Sequence, residues 1–302
     1  MNYKNLFLAL ITFGTITVSA QSNLLNAKTP DQIGKKSEAQ MNSDNDKPLP
    51  YGYVDDRDVL FGKTVWEIID LDERVNFPMY YPIDESLGDN RKSLYSVLVA
   101  GIRAGKISEV YDSSYFTTKK SLKDIEASLV KIDTTPGGID QMNEDYEAYK
   151  SGSREIDKQF INVTELKAID VDGYRVVGRW YFDKRQGELK YRMLGICPII
   201  PDVYTMGQEE KDYIDLFWVF FPSVREVLHE NYAFNGVNSS APISFDHLLN
   251  ARRFSATIYQ EENVQGDRKI SEYMKENAQM QLLESERIKE KIRNFEQDMW
   301  SY

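Results

Sequence analysis

The chain has 302 residues, a formal net charge of −11, 41% hydrophobic and 12% aromatic residues. That is enough apolar matter for a sizeable core. The acidic balance argues against a nucleic-acid partner, and one cysteine with two histidines excludes a disulfide framework and a Cys- or His-rich metal site.

In chain order, Lys4 precedes an apolar run from Leu6 to Val18, and Val18-Ser19-Ala20 offers small residues at a cleavage position. Residues 1–20 are expected to be a secretory signal cleaved after Ala20, with no lipoprotein cysteine. No later segment has the length and apolarity of a membrane span. Residues 21–50, rich in Asn, Asp, Lys, Ser and Gln, are expected to be a flexible lead or a partner-binding arm. A helical N-terminal part, residues 51–135, should follow. Within it, Lys63–Arg74 places Val65, Ile68, Ile69 and Leu71 at helical spacing. Two prolines in Asn76–Pro82 predict extended chain. Arg91–Ala104 predicts a helix with Gly105 as C-cap, Glu109–Tyr115 a short strand, and Leu122–Ile132 a helix capped by Ser121.

Residues 136–154, with Pro136-Gly137-Gly138 and acidic character, predict a surface loop. Residues 155–262 read as β-rich with short helices. Phe160–Val171 is expected as one strand. Tyr174–Pro198 then reads as a β-hairpin turning at Lys184–Gly187. Val176, Trp180 and Phe182 share one face with Gly178, continued by Leu189, Tyr191 and Met193. Arg175, Arg179, Lys190 and Arg192 form a basic stripe on the other face, which is either a partner-binding surface or simply a solvated one. Cys197 is expected to be buried. Tyr213–Phe221 predicts a continuous buried strand, Ser223–Glu230 and Phe245–Arg252 short helices, and Phe254–Tyr259 a further strand. The C-terminal part, residues 263–302, reads as one long helix, Asp267–Trp300. Ile288, Ile292, Phe295 and Met299 form a packing seam on it, for a partner or for the chain's own core. The fold class is therefore α+β, a mostly antiparallel sheet around a central hairpin, with a helical N-terminal part and a long C-terminal helix.

No catalytic, cofactor or metal motif is present: no G-x-S-x-G, P-loop, G-x-G-x-x-G or H-E-x-x-H. This absence and the candidate surfaces are compatible with a binding or structural role. An exported hydrolase using two carboxylates in a cleft, or a cargo-binding module, are the alternatives.

Four stretches carry a resemblance: VWEIIDLDERVNFPMYYP (65–82), RWYFDKRQGELKYRMLGICPI (179–199), FWVFFP (217–222) and NARRFSATIYQEENVQGDRKISEY (250–273). Together with the leader, the chain resembles the gliding motility family GldN and its PorN relatives. The resemblance implies a non-enzymatic periplasmic component of the type IX secretion system at the inner face of the outer membrane. It implies assembly with a GldK-like lipoprotein into a ring of self-associated copies, and contact with the GldL–GldM motor. It brings no catalytic residues and no cofactor.

Overall fold

Two strands, Val59–Asp70 (β1) and, more than a hundred residues later, Gly173–Asp183 (β4), pair along almost their whole length and form the middle of the main sheet. The computed structural model describes residues 47–83, 92–144, 146–147, 157–205, 212–234, 243–275 and 277–300. The leader and most of the 21–50 lead lie outside these. Apart from Lys47, the described residues belong to one compact unit.

β1 is the main departure from the sequence reading, which expected a helix over Lys63–Arg74. Val65 and Ile69 are fully buried on one face and Trp66 is buried on the other. A strand covered on both faces has no polar alternation, and its apolar residues then mimic helical spacing. After β1, Arg74–Asn76 makes a 3-10 turn and Phe77–Tyr80 (α1) a single helical turn. Pro78 in that first turn starts helix rather than extended chain.

Leu94–Arg103 (α2) is capped by Ser93 and ends before Gly105, whose φ is +71°. The strand expected at Glu109–Tyr115 is reduced to isolated bridges from Tyr111 to Lys119 and Trp218. Leu122–Leu129 (α3) carries the predicted Ser121 cap, reciprocated by Asp124. It stops earlier than expected, because Val130, Ile132 and Thr134 alternate in Val130–Thr134 (β2). The expected loop holds a helix, Pro136–Glu144 (α4). Here the glycines serve close packing: a Cβ on Gly138 would lie 2.9 Å from the Phe160 side chain.

Ile161–Glu165 (β3) pairs with β2 in a separate two-stranded sheet, and a 3-10 turn at Ala168–Asp170 ends what was expected to be one longer strand. β4 and Glu188–Pro201 (β5) form the predicted hairpin, with Gly187 at φ +65° and a bulge opposite Val177/Gly178. Tyr213–Asp215 (β6) and Val219–Phe220 (β7) both pair with β5. The continuous strand expected there is interrupted by buried Leu216, Phe217 and Trp218.

Phe221–Glu230 (α5) begins with Pro222 in its first turn. Tyr232–Ala233 (β8) and Ile243–Ser244 (β9) form a small bridge, followed by Phe245–Asn250 (α6). Thr257–Glu261 (β10) closes the main sheet, whose order is β10-β1-β4-β5-β6, all antiparallel. The expected single C-terminal helix is divided into Ile270–Tyr273 (α7) and Ala278–Trp300 (α8). Asn277 explains the restart: its side-chain oxygen accepts the N–H groups of Gln279 and Met280 at 3.0 and 3.2 Å, an N-cap arrangement.

One core joins Ile69, Tyr174, Val176, Met193 and Ile196 to apolar residues of α2, α5 and α6. A second gathers Val65, Ile258 and Ile270 beneath Ile288 and Ile292 of α8. Trp66, Val177, Cys197 and Trp218 form a third, on the opposite face of β1 and β4.

Candidate interaction surface

The β4–β5 register places Arg179 opposite Arg192 and Tyr181 opposite Lys190, with Arg175 further along the same face of β4. The basic stripe therefore exists as a geometric feature. Three of its four charges, however, already have carboxylate partners within the chain. Arg175 Nη1 lies 2.6 Å from Asp215 Oδ1, and its guanidinium sits 5.4 Å from the Tyr259 ring. Arg179 Nη1 donates to Thr64 Oγ1 at 2.9 Å and to Glu262 Oε2 at 3.1 Å. Burial pushes the Glu262 carboxyl up, but hydrogen bonds from Thr64 and the Arg179 charge hold it below its ordinary value. Lys190 reaches Glu188 only at 3.7 Å.

Arg192 differs from the others. Among the described residues it makes no ion pair. It donates to the carbonyl of Gly52 at 3.1 Å and stacks over the rings of Tyr51 and Tyr181 at 4.7 and 5.5 Å. The segment Pro48–Val54 crosses the hairpin here as a strap. Tyr51 lies between Arg192 and Arg225, whose guanidinium is 4.3 Å from the same ring, and donates its hydroxyl to Asn250 Oδ1 at 2.7 Å. Arg225 is locked in a buried bidentate pair with Asp246 at 2.8 and 3.0 Å. That hydrogen-bonded carboxylate raises the Arg225 guanidinium above its ordinary value. A cavity of about 340 Å³ opens between strap and hairpin, lined by Lys190, Arg192, Tyr51 and Tyr53 among others. Leu49 and Tyr53 project from the strap at 82% and 81% exposure. Sequence reasoning missed Tyr51, Arg225 and Asn250, which no local pattern connects.

A second polar centre is largely internal, with Glu67 buried and Arg252 partly exposed. Glu67 is buried on β1, and Arg252 donates to both its oxygens at 2.8 and 2.9 Å. Trp180, Tyr191 and Phe254 surround the guanidinium, with the Tyr191 ring 4.1 Å away. Tyr191 donates its hydroxyl to Glu67 at 3.3 Å, and burial pushes that phenol far up. Asn76 ties the same regions again, accepting from the N–H of Ser255 at 2.9 Å and donating to the Ser255 carbonyl at 3.0 Å. Glu67 and Asn76 lie in one of the segments that carry the family resemblance, Arg252 and Ser255 in another. Those segments meet in the fold.

The C-terminal seam faces the chain's own sheet. Ile288 and Ile292 are buried, Phe295 stacks on Phe61 at 4.4 Å between centroids, and Met299 is half-buried. What α8 leaves exposed is its first turns, where Met280, Leu282 and Leu283 project. Elsewhere, a pocket of about 230 Å³ is lined by Asp72, Asp170 and Asp172 with Tyr80 and Tyr213. The Asp170 carboxylate accepts the Lys167 N–H, and Asp172 is the main cause of a raised Tyr213 phenol. Among the described residues, no cluster of three or more His, Cys, Asp or Glu side chains is arranged to hold a metal ion. No helix among them is long and apolar enough to cross a membrane.

The fold and its surfaces define an α+β protein whose buried charges knit distant segments together and whose strap lies over a cavity at the central hairpin. The chain belongs to the family of the gliding motility associated protein GldN, which matches residues 54–301. A search of curated proteins gave no match. Family membership makes the chain a component of the gliding motility and type IX secretion machinery, in a family that is structural rather than enzymatic.

Proposed function

We propose that this chain is a periplasmic structural subunit of the type IX secretion and gliding apparatus. In this reading it assembles with a GldK-like outer-membrane lipoprotein into a ring of self-associated copies and contacts the GldL–GldM motor. The observation that carries it is the family match across residues 54–301, which takes in the main sheet, the strap's end and the whole of α8. The leader, residues 1–20, delivers the chain across the inner membrane.

The partner-facing charges are Lys190 and Arg192. Arg175 and Arg179 lie on the same face, each already held by a carboxylate of this chain. An acidic surface on a neighbour meets the strap cavity, where Arg192 has no carboxylate partner among the described residues. Rim charges of this kind govern encounter and register more than affinity.

The test is light scattering after size exclusion, on the exported protein alone and after co-expression with the GldK-like lipoprotein. A very large co-eluting complex is expected from the native pair. The variant carrying Lys190→Glu and Arg192→Glu should keep its thermal transition and lose the complex. A monomer that ignores the lipoprotein overturns the ring assignment. An intact complex from the double variant overturns the role of the cavity.

A further inference from the structure

We propose that two copies of this chain join edge to edge through β2, antiparallel, about a two-fold axis at Ile132. This goes beyond the lipoprotein ring and stands on the chemistry of the β2–β3 ribbon alone.

Among the described residues the ribbon is a sheet of two strands. Such a pair is marginal in water, and each outer edge offers unpaired backbone groups to another strand. Among the described residues the outer edge of β2 makes no backbone hydrogen bond to another strand or loop. Ile132 and Val163 are direct cross-strand partners, and they are 65% and 61% exposed. Two β-branched residues standing side by side in solvent form an incomplete apolar strip.

The sequence of β2, Val-Lys-Ile-Asp-Thr, fits itself in reverse. With Ile132 opposite Ile132 of the second copy, Val130 faces Thr134, and Lys131 faces Asp133 in both directions. Opposite charges directly across an antiparallel pair are favourable, and like charges there are unfavourable. Lys131 and Asp133 already share a face, with Nζ and Oδ2 2.9 Å apart. Joining the copies lets each carboxylate meet a second ammonium. The joined sheet has four strands, and its other face carries Val163, Ile132, Ile132 and Val163 in one row. The edge of β3 has no such self-complement: a two-fold at Val163 would set Ile161 against Glu165. A self-complementary patch of this kind makes a closed two-fold contact.

The experiment uses the exported full chain and two readouts. Ile132→Cys places thiols at the axis, at a separation a disulfide can span, and the native Cys197 is buried and does not compete. Oxidised I132C should run as a dimer on a non-reducing gel, and V163C should remain a monomer. In sedimentation equilibrium, Asp133→Lys should weaken association about tenfold, because both charge pairs become repulsive. The swapped variant carrying K131D and D133K should recover it. A V163C dimer without an I132C dimer, or unchanged association in D133K, overturns the proposal. So does D133K weakening that the swap fails to rescue.

Discussion

Arg252 reaches Glu67 across 185 residues of sequence and clasps it with two parallel hydrogen bonds. The pair joins the stretch before β10 to the middle of β1. Arg252 sits at a positive φ of 49°. A bidentate pair fixes direction as well as distance, so it sets how the two segments lie against each other.

Removing either partner leaves the other charge buried and alone. Glu67→Gln or Arg252→Met should destabilise the protein by about 3 kcal/mol, the low end for such pairs because Arg252 is partly exposed. The combination of Glu67→Met with Arg252→Met should recover most of that loss. Chemical denaturation of the three variants checks both statements. Additive losses in the double variant would contradict them.

Gly178 is required by Tyr191 rather than by its own backbone. A Cβ there would come within 2.1 Å of the Tyr191 hydroxyl. Gly178→Ala should cost about 1–3 kcal/mol by overpacking. In a Tyr191→Ala background the same substitution should cost much less, a non-additivity that a double-mutant cycle measures directly.

The long helix α8 is held mainly by Ile288, Ile292 and Phe295 on the second core. Ile292→Ala should cost about 2–5 kcal/mol locally. The break before Asn277 should then become the first site of limited proteolysis, releasing a fragment of the size of α8. Cleavage elsewhere at the native rate would show that the helix does not depend on that contact.

Stability should fall in acid. The Arg287 guanidinium holds the Glu284 carboxyl below its ordinary value, and Glu262 is lowered as well. A folded-state pKa below the unfolded one stabilises above the unfolded value, 4.5 for these groups, and that stabilisation is lost as pH falls through the folded value. Thermal melts should therefore drop below about pH 4.5. Glu284→Gln should flatten the drop while leaving the neutral-pH slope unchanged.

The hairpin was legible because its cause is local. Apolar and polar residues alternate along β4, and Gly187 supplies the turn. The caps at Ser93 and Ser121 were equally local, although only Ser121 was foreseen. β1 was not legible, because a strand buried on both faces loses the alternation that would reveal it. The basic stripe was half legible. Its residues share a face as alternation requires, but the carboxylates that neutralise Arg175 and Arg179 come from β6 and from the residue after β10. No spacing rule links Arg179 to Glu262, or Glu67 to Arg252. In the same way, Pro136-Gly137-Gly138 has the composition of a turn, and only the neighbouring Phe160 shows why small residues open a helix there.

The central place of β1 in the sheet has a consequence for biosynthesis. The chain emerges N-terminus first, and β1 is among its earliest strands. Its neighbours, β4 and β10, follow more than a hundred and nearly two hundred residues later. Until Gly173–Asp183 arrives, Val65, Trp66, Ile68 and Ile69 stand in an unpaired, β-prone segment, a hazard for aggregation. Productive folding therefore has to wait for late chain, as topologies rich in distant contacts do. Truncation anywhere before β4 should therefore leave the chain insoluble rather than partly folded.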